Sequence, residues 1–304
     1  MRVVSLLPSA TEICYAIGVE PVGTSHECDY PPAAREKPAV NRSRVDPEAP
    51  SDEINDQVAA AEADGEGVYA IRRDVLADLD PDLVVSQGIC DVCAVDEVLV
   101  REAVDDLGLD CEVLTTDPHS LGDVFEDIER IGAATGHESE AAEVVADCRA
   151  RVERVRERAA GVDEPPRTAV LDWTDPVMVA GHWIPEMVEM AGGEYGLEEA
   201  GERSRPREWG EIREYDPERL VVAPCGFGVD QTMANLDDLT DRPGWADLTA
   251  VQEGHAHVLD GHHYVNRPGV RLVDTLEFLA GLLHPEAFDA PPSDVTRTLA
   301  RNPV

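Results

Sequence analysis

The chain has 304 residues, 63 acidic against 25 basic side chains and a net charge of −38, and Lys37 is its only lysine. A 43% hydrophobic content makes it globular rather than disordered, with length enough for one large core or two smaller ones. No basic stripe is there to neutralise phosphates, which excludes nucleic acid and anionic membranes as partners. Self-repulsion of this size strains a compact fold at low salt, so the acidity predicts a halophilic surface.

Met1-Arg2 runs straight into the apolar Val3-Val4-Ser5-Leu6-Leu7, with no charged leader, no lipobox cysteine and no apolar run of membrane-spanning length. As written this predicts a cytoplasmic monomer with no membrane insertion; a chain trimmed of its signal would read the same and be extracytoplasmic. Seven cysteines, an odd number, fit free thiols better than a disulfide frame.

From there, strand-like runs alternate with helical patterns, the mark of βα units and parallel sheets. Strands are predicted near 2–7, 21–24, 83–86 and 111–116, and helices near 9–18, 51–63, 72–79 and 94–107. Ser9-Ala10-Thr11-Glu12 reads as a capping box. From Ser139 to Ala160 the chain lacks Gly and Pro, and Val144, Val145, Cys148, Val152 and Val155 recur at helical spacing. This predicts one helix of about 33 Å, ended by Gly161 and Pro165-Pro166. The same style then returns, with strands near 168–173, 176–180, 220–224 and 256–260 and helices near 184–191, 229–239 and 269–283. The tail from Asp289 reads as a short terminal helix or partly disordered chain. The expected organisation is an α/β fold of two βα lobes with short, mainly parallel sheets joined by a long backbone helix. Its boundaries are an N-terminal lobe 1–118, a linking region 119–162 and a C-terminal lobe 163–304.

Parallel sheets bind ligands outside the carboxyl ends of their strands, and the unusual residues gather there. They are Pro8 and Ser9; Ser25-His26-Glu27-Cys28-Asp29-Tyr30; Cys90-Asp91-Val92-Cys93; His182-Trp183; Cys225-Gly226-Phe227; and His262-His263-Tyr264 with Arg267. Two lobes facing each other would place these loops around one cleft. The Cys90/Cys93 pair reads three ways: a zinc or iron site completed by His26 and Cys28, a redox pair, or small apolar thiols packed against a ligand or core. Trp183 suits stacking on a ligand or covering a core edge. Asn266-Arg267-Pro268 reads mainly as a structural cap, with Arg267 also suited to anchoring a carboxylate or amide. No phosphate loop, dinucleotide fingerprint, nucleophile elbow or His-Glu-x-x-His helix is present, which lowers the expectation of an enzyme.

Arg2-Val3-Val4-Ser5-Leu6-Leu7-Pro8-Ser9-Ala10-Thr11-Glu12, Leu79-Asp80-Pro81-Asp82-Leu83-Val84-Val85, and Trp209-Gly210-Glu211-Ile212 followed by Asp216-Pro217-Glu218 resemble the substrate-binding proteins of ABC importers for cobalamin, haem and iron-siderophores. The loops at Ser25–Pro31, Cys90–Val95 and Asp260–Tyr264 are similar to those of the cobalamin-binding group. The resemblance implies a ligand-binding protein, not an enzyme, that needs no cofactor, holds a corrinoid in its inter-lobe cleft and works with an ABC permease. Trp183, Tyr30 and Phe227 would contact the macrocycle, and His26 or His182 could approach the cobalt. Two alternatives stand beside it. One is a cytosolic metal- or thiol-dependent enzyme or metallochaperone using Cys28, Cys90, Cys93 and Cys225. The other is an iron-siderophore or haem receptor, whose anionic ligands would want more loop arginines.

Overall fold

A computed structural model describes residues 1–63, 67–88, 97–162 and 164–299. They form two compact units, residues 1–118 with 122–147, and residues 119–121 with 148–304.

Unit 1 opens with β1 (Val3–Ser5), α1 (Pro8–Ala16) and β2 (Gly23–Thr24), followed by β3 (Asn41–Ser43), α2 (Ser51–Ala63), β4 (Tyr69–Ile71) and α3 (Arg73–Leu79). It continues through β5 (Leu83–Gln87), α4 (Glu97–Leu107), β6 (Glu112–Thr116), α5 (Leu121–Thr135) and α6 (Glu138–Ala159), whose last residues belong to unit 2. The sheet order is β2-β1-β5-β6, parallel throughout. Strands covered on both faces read as unbroken apolar runs. Accordingly Val3, Val4, Leu83, Val84 and Val85 are all buried, each worth about 1.5–3 kcal/mol of transfer free energy.

The capping box expected at Ser9–Glu12 does not form. Pro8 begins α1 directly and Leu7 caps it without a side-chain bond; proline's fixed φ and missing N–H suit the first helical position. Ser9 and Glu12 are instead buried within the helix. A capping box does form at α8 (Trp209–Tyr215), between Glu208 and Glu211.

The long helix α6 spans Glu138–Ala159. Its buried positions Ala141, Val145, Cys148, Val152, Val155 and Ala159 repeat at alternating steps of four and three, one continuous apolar stripe. Glu138 and Glu140 in the first turn and Arg156 and Arg158 in the last oppose the helix dipole, each by about 0.3–1 kcal/mol.

Unit 2 adds β7 (Thr168–Thr174), β8 (Val177–Val179), α7 (Ile184–Met190), β9 (Arg205–Pro206), α8 and β10 (Arg219–Val222). Then come α9 (Val229–Ala234), α10 (Asp237–Thr240), α11 (Thr249–Glu253), β11 (Ala256–Leu259), α12 (Leu272–Leu283) and β12 (Thr296–Thr298). The sheet runs β12-β11-β10-β7-β8-β9. Its centre, β11-β10-β7, is parallel, while β12, β8 and β9 join antiparallel.

Two further expectations are corrected here, and two elements are new. The tail is neither helical nor disordered through Thr296–Thr298: it pairs with β11 as an edge strand, where Pro291-Pro292 blocks a helix and two threonines favour a strand. The helix expected over 229–239 is broken into α9 and α10 at Asn235-Leu236, where the Asn235 side-chain amide also donates to the Gln231 carbonyl at 3.0 Å, a local bond that suits helix ends better than interiors. The antiparallel pair β3-β4 and the helix α5 were not anticipated.

Candidate functional site

In unit 1 the strands finish in polar residues that are nonetheless buried: Ser5, Thr24, Ser86, Gln87 and Thr116. The loop after β2 carries the richest chemistry. Thr24 pairs in parallel with Ala39, and Val40 N–H donates to the Thr24 carbonyl at 2.8 Å. Two residues further along each chain, His26 therefore lies beside Asn41. The His26 backbone N–H donates to Asn41 Oδ1 at 2.9 Å, and His26 Nδ1 lies 2.9 Å from the same oxygen. An oxygen receiving a backbone N–H is an acceptor, so the ring nitrogen facing it must donate. His26 thus carries its proton on Nδ1 and its lone pair on Nε2. The ring lies 5.6 Å from that of Tyr69 on β4, its side chain about a quarter exposed. Glu27 Oε1 stands 3.8 Å from Nε2, too far for a hydrogen bond.

Cys28 faces a different environment. It is buried, and its Sγ contacts Thr11 Oγ1 at 3.0 Å. The Thr11 hydroxyl donates to Ser5 Oγ, which donates on to the Leu7 carbonyl. Pro8 and Ser9 lie in α1, Ser25 is buried, and Asp29 Oδ2 sits 3.7 Å from Arg35. Tyr30 is exposed at 45%. Cys90, Asp91, Val92 and Cys93, two of them in the metal set expected with His26 and Cys28, lie outside the described residues.

In unit 2, Cys225, Gly226 and Phe227 follow β10, and Asp260 to Arg267 follow β11. A Cβ on Gly261 would collide with the Pro224 and Ala223 carbonyl oxygens, so only glycine lets the two loops touch. Gly261 and His262 N–H groups both donate to the Phe227 carbonyl. Asp260 accepts from the His263 backbone at 2.8 Å and faces His263 Nδ1 at 2.7 Å. Burial works against ionisation of Asp260, but these bonds outweigh it and hold the carboxyl below its ordinary value. The buried Arg267 guanidinium donates to His262 Nε2 at 2.9 Å, which places the His262 proton on Nδ1. Tyr264 lies under the Arg271 guanidinium at 5.0 Å.

His182 and Trp183 follow β8. That strand is antiparallel to β7, so its carboxyl end points opposite to those of β7, β10 and β11, and the grouping expected from a parallel sheet does not extend to it. His182 has φ +52°. Trp183 is buried with its indole N–H on the Val265 carbonyl at 3.0 Å, and Phe227 is buried against Trp173. Both rings are spent within unit 2.

Sequence reasoning missed Asn41, Tyr69 and Asp260 as supports of these loops. The available signal was Asn41 itself, a residue disfavoured in strands, set in the apolar context Ala39-Val40.

Each of the two α/β units thus carries polar loops at the ends of its strands. The periplasmic binding protein family model matches residues 3–262, and the chain belongs to that family. This makes it a substrate-binding protein of the ABC-importer type. The uncharacterized ABC transporter substrate-binding lipoprotein YvrC of Bacillus subtilis (strain 168) is 24% identical over 292 residues, covering 94% of this chain and 81% of the relative. Two solved structures share the fold at 20% identity. A periplasmic haem-binding protein from Pseudomonas aeruginosa superposes with a TM-score of 0.72, covering 98% of this chain and 97% of that one. The vitamin B12-binding protein BtuF of Vibrio cholerae superposes at 0.66, covering 93% and 96%. Among the described residues no helix is long and apolar enough to cross a membrane.

Proposed function

We propose that the chain binds a corrinoid for an ABC permease, and that His26 coordinates the cobalt. The observation that carries this reading is the His26 imidazole: its Nδ1 is engaged by Asn41, which leaves the lone pair on Nε2 of a side chain about a quarter exposed. Nitrogen held in this way by an outer partner is the usual form of a metal-ligating histidine. The exposed Tyr30 offers a flat contact for a macrocycle on the same loop. Likeness to a vitamin B12-binding protein is in keeping with this choice. The same imidazole would suit haem iron, and the likeness to a haem-binding protein favours that as the second reading.

Titration with cobinamide, which lacks the nucleotide base of cobalamin and so leaves a cobalt position open, is the test. Binding should shift the corrin absorption bands, and His26→Ala should abolish the shift. Absence of binding by cobinamide and cobalamin up to about 100 μM, a weak limit on the affinity scale, refutes the corrinoid reading. Ferric haem binding in that case moves the assignment to the second.

A further inference from the structure

We infer that Asn41 is a positioning residue which, through the β3-β4 pair, selects the His26 tautomer able to bind a metal. An unconstrained neutral imidazole carries its proton mainly on Nε2, the wrong atom for a ligand that must donate from Nε2. At His26 the Glu27 carboxylate, 3.8 Å from Nε2, would favour that wrong form further. Asn41 opposes both influences. Its Oδ1 sits 2.9 Å from the His26 backbone nitrogen and 2.9 Å from Nδ1. The backbone N–H prevents the amide from turning its NH2 group toward the ring, because two donors would then face each other. The ring must therefore place its proton on Nδ1. Ser25 Oγ, 3.5 Å from Nδ1, can only supplement this at the limit of hydrogen-bonding range.

The support is built into the fold. Asn41 is buried to 2% exposure; the chain just before β3 is tied down by the Thr24–Ala39 bridge, and β3 itself pairs with β4, with Asn41 opposite Ile71 and Ser43 opposite Tyr69. One antiparallel pair thus supplies both the acceptor on Nδ1 and the aromatic ring beside the imidazole. This inference rests on the reading of His26 as a metal ligand, but the tautomer can be measured without any ligand.

The test is 15N–1H correlation of the His26 side chain in the ligand-free protein at a pH where the ring is neutral, on wild type, Asn41→Ala and Asn41→Asp. Wild type should show the pyridine-type shift at Nε2 and the pyrrole-type shift at Nδ1. Asn41→Asp, which retains an acceptor for both N–H groups, should keep this pattern. Asn41→Ala should move the proton toward Nε2 and weaken cobinamide coordination by about 10–100-fold, the usual effect of losing an outer partner. A wild-type ring with its proton on Nε2 overturns the inference, as does an unchanged tautomer in a folded Asn41→Ala protein. If wild type shows the expected tautomer and Asn41→Ala loses it, while cobinamide does not bind, Asn41 keeps its assignment and the corrinoid reading fails.

Discussion

Asp172 on β7 should make unit 2 less stable as the pH rises, and Asp172→Asn should remove that loss. One carboxylate oxygen accepts from the Ser204 hydroxyl, which in turn accepts from Gly181 N–H at 3.0 Å. The other, Oδ1, is buried with no hydrogen-bond partner among the described residues. Burial pushes the carboxyl up from 3.8 to about 6, although the Ser204 bond acts the other way. A raised carboxyl pKa means that the folded state holds the proton more tightly than the unfolded chain. Its stabilising contribution is complete below pH 3.8 and is lost as the pH climbs through about 6. The difference between the two values corresponds to up to about 3 kcal/mol. An asparagine oxygen can still accept from Ser204, and its NH2 group would replace an oxygen that also lacks a partner, so charge is the main variable. All four tryptophans, at 173, 183, 209 and 245, lie in unit 2, so urea unfolding followed by their fluorescence reports this unit. Asp172→Asn should gain on wild type above pH 6 by up to about 3 kcal/mol, with the gain shrinking toward pH 4. A difference that does not change with pH refutes the reasoning.

Gly261→Ala should destabilise unit 2 by about 1–3 kcal/mol, the cost of overpacking, since the added methyl meets two backbone oxygens of the β10 loop; tryptophan fluorescence in urea measures it, and an unchanged midpoint contradicts the contact. Cys14 is fully buried with its thiol pushed up to about 12, chiefly by desolvation. It should resist a disulfide reagent in the native protein at pH 8 and react only in denaturant, with Cys14→Ala as the control. Labelling of Cys14 in the folded protein would show that the site opens.

The fold was legible where burial decides the sequence. The parallel strands of unit 1 and the core strands of unit 2 are apolar because both faces are covered, and α6 announces itself by an apolar stripe without Gly or Pro. The pieces that escaped are those whose structure depends on a partner far along the chain. Asn41-Arg42-Ser43 is no strand by propensity; it becomes one because Tyr69–Ile71 pairs with it, just after Ala39 has bridged to Thr24. The Thr296–Thr298 strand likewise depends on the exposed edge of β11. At α1 the letters of a capping box were present, yet Pro8 already satisfied the helix start, so a valid local motif had nothing to cap.

For the candidate site, residue type was easier to read than orientation. Ser25–Tyr30 and His262-His263-Tyr264 with Arg267 stood out as candidates because polar and aromatic residues gather at the ends of apolar strands. What those residues present to a ligand is set by their supports. His26 and Cys28 are two positions apart, yet one holds its Nδ1 against Asn41 in a side chain about a quarter exposed, while the other is buried with its sulfur on Thr11. Strand direction matters as much. The loops after β10 and β11, which run parallel to β7, leave one common edge, whereas β8 runs the other way because Asp175-Pro176 turns the chain straight back on β7. Only a two-residue turn separates Thr174 from Val177, too short for the crossover of a dozen or more residues that parallel neighbours require. That spacing was visible in the chain, and counting it would have separated His182 and Trp183 from the loops of the parallel edge.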